Sequence, residues 1–91
     1  MSEHTDELTQ IINTFWQNAD RAEAQDDVES ARAWMEAVVQ LDERNPSAWL
    51  RLAELIPAPQ ERMYCYVQVL EIDPHNKDAH AGIRKTRKEL H

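Results

Sequence analysis

The sequence is poor in the residues that break chains or cross-link them. Its 91 residues include one glycine, four prolines and one cysteine, Cys65. One cysteine excludes an intramolecular disulfide, and one glycine argues against a β-sandwich with many tight turns. No apolar run approaches the length of a membrane span, and residues 1–10 are acidic where a secretory signal is basic and then apolar. We therefore predict a cytoplasmic protein that does not bind membranes.

Groups that carry out catalysis or bind metals are also scarce. No HExxH, CxxC or nucleophile-elbow motif is present, and His75 and His80 do not have the i, i+4 spacing that places two imidazoles on one helix face. We interpret both histidines as surface or capping residues and Cys65 as a buried, inert thiol. The sequence predicts no enzymatic activity, no cofactor and no metal site.

Basic residues are rare in the first third of the chain. The formal net charge is −7, and residues 1–30 contain eight acids against one base, whereas residues 61–91 contain five acids and six bases. An acidic protein is not a general nucleic-acid binder, because such proteins neutralise phosphates with Lys and Arg. We therefore predict no binding to nucleic acid.

What the sequence does contain is helical periodicity. Apolar residues recur at the i, i+3, i+4, i+7 spacing of a helix face, and 30% of residues are charged. Thr5 and the Asp26 to Glu29 segment offer helix N-caps, Asn76 offers a third, and Pro46 and Pro59 suit first turns. We predict an all-α single domain, 1–91, of five helices: 6–24, 28–42, 46–56, 59–72 and 77–90.

Part of this pattern repeats. The segment LDERNPSAW at Leu41 to Trp49 returns thirty-one residues later as IDPHNKDAH at Ile72 to His80. Each copy covers the end of one predicted helix, a turn and the start of the next. Self-similarity at such a period is typical of stacked helical hairpins.

The repeat resembles the tetratricopeptide (TPR) family. That pattern runs through an aromatic, Leu-Gly, Tyr, Ala, Phe and Pro over about 34 residues. Its places are occupied first by Phe15, Asn18-Ala19, Ala22, Ala31 and Met35, and then by Trp49, Leu52-Ala53, Ile56, Arg62, Tyr66 and Pro74. The resemblance implies a right-handed stack of antiparallel helix hairpins, an α-solenoid, closed by the fifth helix. Another kind of helical hairpin bundle is the alternative.

In TPR proteins the first helix of each pair lines a concave groove that binds a partner segment. Carried over to this sequence, the groove would be aromatic and acidic at one end and basic at the other. Its residues would be Asn13, Trp16, Asp20, Glu23, Ser47, Leu50, Glu54, Ala81, Lys85 and Lys88. Family members that bind chaperones clamp a C-terminal carboxylate with Lys and Asn. Trp16 and Asp20 stand at those places, so that ligand is not expected.

These features predict a non-catalytic protein-interaction module, a scaffold or adaptor that binds a peptide segment or a partner subunit carrying basic residues. The alternative is a small structural subunit that self-associates or is fixed in a larger assembly, with acidic residues 1–30 against basic residues 83–91. The basic run of the fifth helix is interpreted first as a solvated outer face and second as a binding patch.

Overall fold

The computed structural model describes the backbone of residues 3–91 and the side chains of residues 7–91. That part of the chain is all-helical and contains no strand. The five predicted helices are present: α1 (Glu3–Ala24), α2 (Val28–Leu41), α3 (Pro46–Leu55), α4 (Pro59–Ile72) and α5 (Lys77–Leu90). The helices are joined by turns of three or four residues. Short connections of this kind join antiparallel neighbours.

Side-chain caps fix where α2, α3 and α5 begin. Asn45 accepts a hydrogen bond from the backbone N–H of Ala48 at 3.3 Å, and Asn76 accepts one from that of Ala79 at 2.9 Å. Pro46 then occupies the first turn of α3, where its missing N–H would have had no helical partner. The predicted Asn76 cap is therefore confirmed.

One predicted N-cap is wrong. Helix α1 begins at Glu3, so Thr5 lies inside the helix; its side chain is outside the described residues. Helix α2 is capped by Asp27, which lies within the predicted Asp26 to Glu29 segment. Asp26, in the turn before it, adopts a left-handed backbone conformation with φ of 61°, which Asp tolerates better than most side chains.

Contacts divide the chain into two compact units, the first ending at Glu43 and the second beginning at Arg44. The first unit is the hairpin of α1 and α2. Small residues Ala19, Ala22 and Ala31 are buried, and their size lets the two helices approach. The rings of Phe15 and Trp34 are 5.1 Å apart and join the two helices. The largest fully buried side chain is Met35, followed by Val38.

In the second unit, α4 packs against both α3 and α5, so it is the middle helix of that unit. Cys65 and Val69 of α4 are buried, and the cysteine is not in a disulfide. The ring of Tyr66 lies against Gly82 of α5, where no Cβ would fit. One turn before Tyr66, Arg62 binds both carboxylate oxygens of Glu89 in α5, at 2.9 and 3.0 Å.

Several apolar residues predicted for buried helix faces are exposed. Leu8 and Ile11 of α1, and Val28 and Leu41 of α2, all retain at least two-fifths of their accessible surface. Trp49 is only half-buried. These residues lie on the apolar side of their helices, but the neighbouring helix does not cover them.

The Asp27 cap makes the stability of α2 depend on pH. Hydrogen bonds from the Ser30 side chain and backbone N–H, the latter 3.1 Å long, lower the pKa of Asp27 below its ordinary 3.8. A carboxyl group whose pKa is lowered by folding stabilises the folded state when the pH is above the pKa of the unfolded state. This stabilisation is lost as the pH falls through the pKa of the folded state.

We therefore expect Asp27→Asn, which keeps an acceptor but does not titrate, to be less stable than the wild type at neutral pH and equally stable in acid. Thermal unfolding followed by circular dichroism from pH 7 to about pH 2 measures the difference. A constant difference across that range would contradict the role of the charged cap.

Candidate interaction surfaces

The first set of predicted groove residues lies on one side of α1. Asn13, Trp16, Asp20 and Glu23 are spaced three or four residues apart, so their side chains project to the same side. Asn13 and Asp20 are exposed, whereas Trp16 and Glu23 are half-buried. Trp16 lies roughly 100° around the helix from Phe15, whose ring contacts α2. This side of the helix therefore presents an indole with two carboxylates in the following turns.

The second set lies on one side of α3. Ser47 and Glu54 are exposed and Leu50 is half-buried. Glu54 is within 3.9 Å of the Arg51 guanidinium, a surface ion pair of little energetic weight. The neighbouring Trp49 contacts Tyr64 of α4 edge to face, with ring centroids 6.0 Å apart. Leu50 and Glu54 thus form a small apolar and acidic surface on this helix.

The third set lies on α5, where Ala81, Lys85 and Lys88 are all exposed. Arg84 and Arg87 are exposed as well. Of the two acids on this helix, Glu89 is bound by Arg62. The outer side of α5 is therefore strongly basic.

The charge asymmetry follows the two units. Residues 1–43 carry eleven acidic and two basic side chains, a formal −9, whereas residues 44–91 carry six acids and eight bases, a formal +2. Charges of one sign clustered on one unit attract partners of the opposite sign and speed their encounter. The first unit is accordingly suited to a basic partner.

The predicted groove residues are divided between the units. The α1 set belongs to the first unit, and the α3 and α5 sets belong to the second, on helices that both pack against α4. Every one of the ten residues is at least partly accessible. A single groove lined by all ten stays a prediction of the family resemblance.

Two exposed apolar surfaces were missed by the sequence reasoning. Tyr64 and Val67 of α4 are exposed, Tyr64 by 59%. The sequence signal for this surface was that apolar residues occupy more than half of the circumference of that helix. The other surface is on α1, where Glu7, Gln10, Ile11, Thr14 and Phe15 line an open recess of about 410 Å³.

Within the described residues, no group of three or more His, Cys, Asp or Glu side chains is placed to hold a metal ion. No described helix combines the length and the apolar character that crossing a bilayer requires.

No protein-family model matches the chain, and a search of curated proteins found no match.

Proposed function

We propose that the protein is a non-catalytic interaction module that binds a peptide segment carrying Lys or Arg next to an apolar residue. The observation that supports this most is the accessible Trp16 indole beside Asp20 and Glu23 on one side of α1, in a unit with a formal charge of −9. Partly exposed aromatic residues are the side chains that most often dominate binding energy, and neighbouring carboxylates select basic ligands.

The α3 surface of Leu50 and Glu54 has the same chemistry on the second unit, an accessible aliphatic side chain beside a carboxylate. In the proposed function both surfaces contact one extended ligand. The TPR-like right-handed stack that the sequence resemblance implies would supply the groove. An adaptor or scaffold that works in this way has no need of a cofactor.

We expect Trp16→Ala combined with Glu54→Lys to abolish binding of such a peptide while leaving the helix content unchanged, because both side chains are on the surface. Loss of a buried aromatic anchor alone weakens an interface by about 2 kcal/mol or more, roughly thirtyfold. The probe is a displayed library of random peptides selected on the wild-type chain. Affinity is then measured for the wild type and for the variant, with circular dichroism as the folding check.

The matched control is Val67→Ala combined with Glu71→Lys, which removes an exposed apolar side chain and reverses an exposed acid on α4. The control should bind the selected peptides as the wild type does. Selected peptides that lack basic residues would contradict the assignment. So would selected peptides whose affinity for the Trp16→Ala/Glu54→Lys variant equals their affinity for the wild type.

A further inference from the structure

One end of the α1–α2 hairpin carries apolar side chains that the described residues leave partly exposed. Helix α1 has 22 residues and α2 has 14, so the first eight residues of α1 extend about 12 Å beyond the end of α2. Leu8 lies in this segment and Ile11 follows it directly, on the same side of α1 as the Phe15 and Ala19 that pack toward α2. They are 40% and 45% exposed. We call Leu8, Ile11 and the recess beside them the open end.

The described charge at the open end is negative. Residues 8–19 contain no charged side chain, although 30% of the whole chain is charged. Depletion of charge around accessible aliphatic residues is typical of the centre of a protein interface. The recess is lined by Glu7, which is exposed. The open end is thus an apolar patch bordered by the Glu7 carboxylate.

The last turn of α5 has the opposite character. Leu90 is 44% exposed, and Arg87, one turn before it, is also exposed. The acid between them, Glu89, is engaged by Arg62 and so does not cancel the arginine charge. We call Arg84, Arg87 and Leu90 the basic end: an apolar tip with a basic border.

We propose that the basic end of one copy binds the open end of a second copy. Leu90 packs against Leu8 and Ile11, and Arg87 faces Glu7. The two surfaces are complementary in charge and each presents uncovered aliphatic side chains. Pairing of two open ends or of two basic ends would instead place like charges opposite each other.

The contact is heterologous, so it joins copies into open chains or closes them into rings. Its area is small, with one leucine against two aliphatic residues, and interfaces of that size are weak and transient. Association should therefore depend on protein concentration, and it should weaken at high ionic strength because the charged borders are exposed. The proposal does not rest on the peptide-binding function, since it uses neither Trp16 nor Glu54.

The experiment compares three double variants by sedimentation velocity from micromolar to millimolar protein. Leu8→Gln/Ile11→Gln disables the open end, and Arg87→Glu/Leu90→Gln disables the basic end. Val67→Gln/Lys77→Glu is the control, because Val67 is 42% exposed on α4 and Lys77 lies at the other end of α5. Circular dichroism checks that each variant keeps its helix content; Leu8→Ala/Ile11→Ala replaces the glutamine variant if it does not.

We expect the average mass of the wild type and of the control to rise with concentration and to fall when salt is added. The association constant of each end variant should be lower by about tenfold or more. A 1:1 mixture of the two end variants should form a dimer and nothing larger, because each partner retains one working end. Trp16→Ala/Glu54→Lys should associate as the wild type does.

A wild type that stays monomeric over the whole range would overturn the proposal. So would end variants that associate undiminished, or a mixture of them that stays monomeric. The sedimentation measurements contain no peptide. A wild type that binds no peptide would therefore contradict the proposed function and would leave the self-association proposal unaffected.

Discussion

Gly82→Ala is expected to lower the free energy of unfolding by about 1–2 kcal/mol, although alanine in a helix interior normally raises it by about 0.5–1 kcal/mol. The reason is the Tyr66 ring, which lies so close to Gly82 that a Cβ would overlap three of its atoms. The ring must move, and inserting a carbon into a packed contact typically costs about 1–3 kcal/mol. Urea unfolding followed by circular dichroism measures the change.

Removal of the ring should reverse the sign of this effect. In a Tyr66→Ala background, Gly82→Ala has nothing to displace, and we expect it to stabilise the protein by about 0.5–1 kcal/mol through helix propensity alone. The four proteins form a double-mutant cycle that isolates the contact between the two residues. An equal effect of alanine at position 82 with and without the ring would show that the ring does not exclude a side chain there.

The same contact has a spectroscopic readout. Burial raises the pKa of Tyr66 above its ordinary 10.0, in spite of the nearby Arg62 cation, which lowers it. The neutral phenol therefore contributes stability that is present below pH 10.0 and is lost as pH rises through the raised pKa. If alanine at position 82 pushes the ring toward solvent, ultraviolet titration should show the pKa of Tyr66 moving back toward 10.0.

Met35→Ala is expected to have the largest effect on the first unit. Met35 is the largest fully buried side chain in the described part of the chain. Its truncation removes buried methylene and thioether contacts and leaves a cavity, which together cost about 2–5 kcal/mol. For a chain of 91 residues this is a large part of a typical free energy of unfolding, about 5–15 kcal/mol.

The control for that variant is Met35→Leu, which nearly conserves volume and should cost less than about 1.5 kcal/mol. Ala24→Ser, an exposed change in α1, should have almost no effect. Thermal unfolding compares the three variants. A loss of less than 1 kcal/mol or so on truncation to alanine would mean that the hairpin closes around the missing side chain.

The positions of the helices could be predicted from the sequence because their signals are local. Asn45 and Pro46, or Asn76 by itself, mark a helix start through hydrogen bonds within three residues. The segment from Asp26 to Glu29 offered two carboxylates as caps, and the choice of Asp27 goes with the left-handed backbone of Asp26, which no pattern of residue types specifies. Local chemistry thus placed the turns to within a residue or so.

The exposed surfaces could not be predicted in this way. Periodicity shows which side of α1 is apolar, but the exposure of Leu8 and Ile11 depends on how far α2 extends beside it. The ion pair between Arg62 and Glu89 could not be predicted either, because the two residues are 27 positions apart and no spacing rule links them. Arg62 occupies a position where the TPR pattern has alanine, and here its side chain forms an ion pair with Glu89 of α5.

The measurement that tests the interaction module most directly is a nuclear magnetic resonance titration of the ¹⁵N-labelled chain with a selected basic peptide. The account predicts that the Trp16 indole N–H shifts together with the amides of Asn13, Asp20, Leu50 and Glu54. Shifts confined to Tyr64 and Val67 on the outer side of α4, with the Trp16 indole unaffected, would contradict it.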